Sequence, residues 1–147
     1  MGAEERAPLP DLSAAQALST FEQQGNRFSY FRLLYLLERV HAGAPAIGGT
    51  GPAAAEKIRL RPDASMSFAA SDVSSVSSVE GPDGVERTRV QTTFMGLYGT
   101  TSPLMNYFVE QVAQEEYQGH KQPVRELLDV MHHRLLSLVY RAWTKYR

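Results

Sequence analysis

The chain has 147 residues, about the length of one domain, and its formal net charge is −1. This charge argues against a protein that holds nucleic acid through its phosphates, because such proteins usually carry a basic excess. The sequence has no cysteine, which excludes disulfides and thiolate metal sites. No apolar run approaches the roughly 20 residues of a membrane-spanning helix, so no direct membrane insertion is expected.

The N-terminal residues 1–12 are polar, and we predict that they form a flexible tail. They contain no apolar signal core, which favours a cytoplasmic protein. A short helix is predicted over residues 13–24 and a second over 29–42, with a Gly-Asn break between them. The second helix is apolar around most of its circumference, so it needs partners on several sides. A chain of this length is not expected to supply all of those partners itself.

The middle of the chain is predicted to contain a β-hairpin. Residues 43–56 are Gly, Ala and Pro with almost no apolar anchor, which is typical of a flexible loop. A short strand follows at 58–62, and the strand pattern over residues 66–79 weakens after Ala70. The Gly-Pro-Asp-Gly sequence at 81–84 predicts a tight turn. Residues 85–94 alternate as a strand does and complete the hairpin.

Two helices are predicted to end the chain. Ser102 is the expected N-cap of the first, with Pro103 at its first position, and Gly119 is its expected end. The last helix starts near Pro123 and continues to the final residue. It carries a broad stripe of apolar residues spaced by three and four, which is typical of a core helix or of one that also contacts another protein.

Two adjacent histidines, His132 and His133, invite a metal-site interpretation, with Asp129 one helical turn before them. Adjacent helical side chains point about 100° apart and do not converge on one ion, which disfavours it. A small independent ligand- or metal-binding domain using these three residues remains the alternative. A nucleic-acid module using the arginines of the last helix is a further alternative. No nucleophile-elbow motif is present, so the sequence does not support hydrolase chemistry, and no cofactor is predicted.

Two strings in the second half resemble the TssG family (also called ImpH or VasB), a baseplate subunit of the type VI secretion system. They are TTFMGLYGTTSPL at 92–104 and LLDVMHHRLLSLVYRAWTKYR at 127–147. The segments RFSYFRLLYLLERV and IRLRPDASMSFAASDV are also similar to that family, so the resemblance covers most of residues 27–147. Family members usually continue beyond the last string, and the chain is therefore expected to be the N-terminal half of such a subunit.

The resemblance implies a structural role without catalysis. The expected fold is α+β, with N-terminal helices, a central β-hairpin region and two C-terminal helices, completed by partner subunits. The implied partners are TssF-like subunits in a baseplate wedge, a TssK-like adaptor, a TssE-like subunit and the spike hub. The implied place is the cytoplasmic face of the inner membrane, reached through the baseplate and the membrane complex.

Aromatic and arginine side chains are enriched in the energetically important parts of protein interfaces. Nine residues of the second helix, the strand exit and the last helix, seven of them aromatic or arginine, are predicted to contact partners. They are Phe31, Tyr35, Leu97, Tyr98, Leu104, Tyr140, Arg141, Trp143 and Tyr146.

Overall fold

The computed structural model describes residues 14–119 and 123–146, and the predicted tail at 1–12 lies outside this part of the chain. The α+β class is confirmed. The elements in chain order are α1 (Ala14–Gln24), α2 (Tyr30–Val40), β1 (Ile58–Pro62), β2 (Val73–Glu80), β3 (Glu86–Thr92), α3 (Asn106–Gln118) and α4 (Pro123–Lys145).

The predicted hairpin is present. Strands β2 and β3 pair antiparallel, with Val76 opposite Val90. Between them the Gly81 N–H donates to the Val85 carbonyl oxygen at 2.9 Å. Gly84 has a φ of +70°, which glycine adopts at little cost. Turn chemistry and local alternation were therefore enough to predict this pairing.

Strand β1 joins the sheet by parallel pairing with β3, so the strand order is β1-β3-β2. This pairing was not predicted, because parallel strands need a long connection and carry no local signal. The register places Leu60 opposite Val90 on the core face. It also places Arg59 opposite Arg89 on the other face, so the arginines of β1 and β3 are brought together.

The prediction for residues 66–79 was wrong in position. No strand lies over residues 63–72, and β2 begins at Val73, beyond the point at which the pattern weakened. The register shifts between Val73 and Ser75, as at a β-bulge. Because of this shift, Val73 and Val76 both face the core although they are three residues apart. A bulge changes which face successive residues occupy, and it hid the strand from a search for alternation.

Helix α2 lies at the centre of the core. Its Tyr30, Leu33, Leu34 and Leu37 have no exposed surface. Helix α1, the sheet and α4 cover it, so the chain supplies more partners for this helix than the sequence analysis expected. The other buried members of this core cluster are Phe21, Ile47, Ile58, Leu60, Val73, Val76, Val90, Leu136 and Tyr140.

At each edge of the sheet, one backbone N–H is bonded to a side chain of a flanking helix. At the β2 edge, the Ser78 N–H donates to Glu22 Oε1 of α1 at 2.9 Å. At the β1 edge, the Leu60 N–H donates to His133 Nδ1 of α4 at 3.1 Å. The neighbouring position on β1 is Pro62, which has no N–H to leave unpaired. The helices therefore cap donors that an open edge would expose.

Helix α3 begins at Asn106, three residues later than predicted. The Ser102 hydroxyl donates to the Leu97 carbonyl oxygen at 2.5 Å and accepts from the Leu104 N–H at 2.9 Å. Ser102 therefore shapes the turn before the helix and does not cap it. Gly119, in the left-handed conformation, ends α3 as predicted.

The connection between α2 and β1 over residues 43–56 consists of turns and one short 3₁₀ helix, Ala53–Ala55. Ile47 anchors it in the core, and its N–H donates to Glu38 Oε1 at 2.9 Å. The flexibility of this loop stays a prediction.

Candidate protein-protein interface

Helix α4 packs its more polar side inward. Its buried residues are Arg125, His132, Leu136, Ser137 and Tyr140. Four of these five carry polar groups, and each of the four makes a hydrogen bond or ion pair within the chain. Most buried polar groups in proteins are hydrogen-bonded, and here Arg125 Nη2 is the exception among the described residues of this face. The inward face of this helix is therefore held by specific polar contacts as well as by apolar packing.

The two adjacent histidines bind two different backbone amides. His132 Nε2 accepts from the Leu97 N–H at 2.9 Å, and His133 Nδ1 accepts from the Leu60 N–H at 3.1 Å. The second ring nitrogen of each faces a carboxylate, Asp129 Oδ1 at 3.4 Å for His132 and Glu56 Oε2 at 2.6 Å for His133. Each ring therefore bonds α4 to a different segment of the chain. These two structural contacts explain why two histidines are adjacent, and no ligand shared between them is needed.

A charged cluster joins α3, α4 and the sheet. Arg125 of α4 is buried and pairs with Glu116 of α3, which also pairs with Arg61 of β1 at 3.1 Å. The Tyr98 hydroxyl donates to Asp129 Oδ1. Burial, and then the Asp129 carboxylate, raise the pKa of Tyr98 well above its usual range, so this hydroxyl stays a donor at neutral pH. The cluster fixes the C-terminal helices against the sheet.

The other side of α4 is apolar and exposed. Five residues spaced by three or four form what we call the apolar α4 face: Val124, Leu127, Met131, Leu135 and Leu138. At about 100° per residue, the centre of this face lies roughly 150° around the helix from the centre of the buried one. Of the apolar stripe predicted for this helix, Met131, Leu135 and Leu138 lie on this exposed face, whereas Leu128 and Trp143 pack against the core clusters. A regular apolar face that the chain itself leaves uncovered is typical of a protein-binding surface.

Helix α3 and the turn before it expose further large apolar side chains. Met105 is 72% exposed and Tyr107 is 70% exposed, whereas Val109 and Val112 turn inward. Phe108 and Tyr117 are also exposed. The sequence analysis did not select these residues, although apolar residues around 104–108 in an otherwise polar helix were a visible signal. Both C-terminal helices therefore leave apolar surface uncovered.

The predicted interface residues of α2 and the last helix fall into two groups. Tyr140 is buried, and its hydroxyl donates to Glu38 Oε2 at 2.8 Å. The half-buried Phe31 stacks on Trp143 with ring centroids 5.1 Å apart. Tyr35 and Tyr146 are exposed on the surface. These placements leave Tyr35 and Tyr146 the most accessible of this group.

The remaining candidates lie at the strand exit and on α4. Tyr98 is buried against α4, and Leu104 is exposed. Leu97 is half-buried, and its N–H donates to His132 Nε2. Arg141 is exposed, and its guanidinium donates to the Gly48 carbonyl oxygen at 2.6 Å. The structure thus brings the nine predicted residues to several places on the chain and not to one patch.

The alternative functions receive no support from the geometry. Among residues 14–119 and 123–146, no group of three or more His, Asp or Glu side chains is arranged to hold a metal ion. The arginines Arg125, Arg134 and Arg141 of α4 bond to carboxylates or carbonyl oxygens within the chain. Within the same described part, no helix has both the length and the apolar composition to cross a bilayer.

Residues 24–147 match the protein family described as type VI secretion, TssG. The match covers α2, the whole sheet, α3 and α4, and so includes the histidine pair and the apolar α4 face. No curated protein and no solved structure matches the chain.

Proposed function

We propose that this chain, which belongs to the TssG family of type VI secretion proteins, joins TssF-like subunits in a wedge of the secretion baseplate. Family membership makes it a baseplate subunit. Its proposed role is structural and not enzymatic: it supports assembly of the sheath and tube in the cytoplasm, next to the membrane complex. A TssK-like adaptor, a TssE-like subunit and the spike hub are the further proposed partners.

The observation that carries this proposal is the apolar α4 face. A monomer gains little by keeping Leu127, Met131 and Leu135 in water, since burying each such side chain contributes about 1.5–3 kcal/mol. The regular spacing matches the way an amphipathic helix packs against a partner helix. We propose that this face, together with the exposed Tyr146 and Leu104, lies in the contact with the TssF-like subunit.

The test is co-purification of the chain with a tagged TssF-like subunit. We expect Leu135→Glu to abolish recovery of the complex, because a carboxylate would be buried without a partner in the contact. Thr144→Glu is the matched control, since Thr144 is an exposed residue of the same helix outside the apolar α4 face. Unchanged recovery of Leu135→Glu, with the control also bound, would refute this use of the face.

A further inference from the structure

A groove of about 710 Å³ lies between the polar face of the sheet and α4. Its far side is formed by the hairpin turn around Gly81, and Val79 and Val130 line it with apolar surface. Four arginines of β1 and β3 also line it: Arg59, Arg61, Arg87 and Arg89. The β1–β3 register is responsible for this concentration of guanidinium groups.

Within the described residues, two of the four arginines have carboxylate partners and two have none. Arg61 pairs with Glu116 at 3.1 Å, and Arg87 pairs with Asp83 at 2.5 Å. Among the described residues, no carboxylate lies within 4.0 Å of Arg59 or Arg89. In the part of the chain that the structure describes, the Arg59 guanidinium donates to the Ala53 carbonyl oxygen at 2.9 Å. The two unpaired arginines are direct neighbours across the β1–β3 pairing.

The surroundings of this pair favour an added negative charge. Burial, and then the Arg87 charge, lower the pKa of Arg59. Burial, and then the Arg61 charge, lower the pKa of Arg89. Carboxylates act in the opposite direction, Glu56 and Asp83 on Arg59 and Asp129 on Arg89, but the net effect of the surroundings is to lower both pKa values. In addition, the buried Nε atoms of Arg61 and Arg87 have no hydrogen-bond partner in the described structure.

We propose that this groove binds an acidic segment of a partner protein, with a carboxylate between Arg59 and Arg89 and an apolar side chain against Val79 and Val130. A guanidinium group recognises a carboxylate through parallel hydrogen bonds, and two adjacent ones define its place. Four carboxylates also line the groove: Glu80, Asp83, Glu126 and Asp129. Asp83 pairs with Arg87, and Asp129 lies 4.0 Å from Arg61, so neither pairs with Arg59 or Arg89. These carboxylates oppose a polyanion such as nucleic acid but not a single carboxylate beside apolar groups. This inference rests on the proposed function, because the segment belongs to another subunit of the assembly.

The test is site-specific photocrosslinking in cells that express the other baseplate subunits. A benzoylphenylalanine replaces the exposed Val130 at the groove, or Leu138 on the apolar α4 face in a parallel sample. We expect the Val130 adduct to contain a segment with an Asp or Glu near the attached residue. Arg89→Gln is expected to lower the yield of this adduct at least tenfold and to leave the Leu138 adduct unchanged. Arg89 has no carboxylate partner in the described structure, so its loss breaks no ion pair of the fold.

Arg32→Gln is the control, because Arg32 is exposed on α2 away from the groove, and it should change neither adduct. Replacing the carboxylate of the captured segment by its amide should reduce the Val130 adduct as Arg89→Gln does, with no further loss when the two are combined. An adduct that lacks a carboxylate, or one that Arg89→Gln does not reduce, overturns the proposal. A Leu138 adduct without a Val130 adduct also overturns it but leaves the proposed function standing. The absence of both adducts overturns both.

Discussion

Replacing His133 by alanine tests how α4 protects the edge of the sheet. The ring accepts the Leu60 N–H at 3.1 Å and donates to Glu56 Oε2 at 2.6 Å, and both partners are buried. A buried N–H left without an acceptor costs about 1–3 kcal/mol, and the carboxylate left without its donor costs a similar amount. We therefore expect the free energy of unfolding to fall by about 2–6 kcal/mol.

The loss of the bond to the Leu60 N–H is measured as the rate of hydrogen exchange at the β1 amides in the assembled subunit. A cost of about 1–3 kcal/mol at the Leu60 N–H corresponds to exchange roughly 5- to 150-fold faster. His132→Ala should instead speed exchange at Leu97, because that ring accepts the Leu97 N–H. Arg134→Ala, the next position along α4, should alter neither amide. If His133→Ala leaves Leu60 exchange unchanged, the ring does not cap this edge and the argument fails.

Two further predictions concern the α2–β1 connection and the response to acid. Gly48 has a φ of +64°, and a Cβ there would lie 2.9 Å from a side chain of α4. We therefore expect Gly48→Ala to lower the free energy of unfolding, measured in urea, by about 1–3 kcal/mol. Gly43→Ala is the control and should not lower it, because no atom lies within 4 Å of a Cβ at that position. Burial, and then the charge of Lys57, hold the pKa of the His41 imidazole below its ordinary value of 6.5. As the pH falls through 6.5, this imidazole is therefore protonated in the unfolded chain before it is protonated in the folded one. The free energy of unfolding should therefore fall on acidification, and urea unfolding of His41→Gln should show a smaller pH slope; an equal slope would contradict this.

Local signals predicted the local features of this fold. The Gly-Pro-Asp-Gly turn identified the hairpin, and apolar periodicity identified α2 and α4. The parallel pairing of β1 with β3 depends on residues about 30 positions apart, and no short pattern encodes it. The bulge near Val73 likewise concealed the start of β2, because it breaks alternation at the point where the strand begins.

The orientation of α4 was the harder question. Apolar residues are expected to face the core, yet this helix buries His132 and Arg125 and exposes Leu127 and Leu135. That choice depends on partners distant in sequence, such as the Leu97 N–H, which a single helix pattern does not reveal. Dependence on partners distant in sequence also explains why the predicted interface residues lie at several separate places on the chain. Residue type alone does not distinguish an aromatic held by an internal hydrogen bond from one left exposed.

The capped edges of the sheet limit how this protein can assemble. Many complexes form when a strand of one chain extends the sheet of another through main-chain hydrogen bonds. Here the Ser78 N–H at one edge and the Leu60 N–H at the other are already bonded to helix side chains, and Pro62 offers none. A partner that extended this sheet would first have to displace α1 or α4. These bonds favour recognition of the subunit through its side chains over recognition by extension of its sheet.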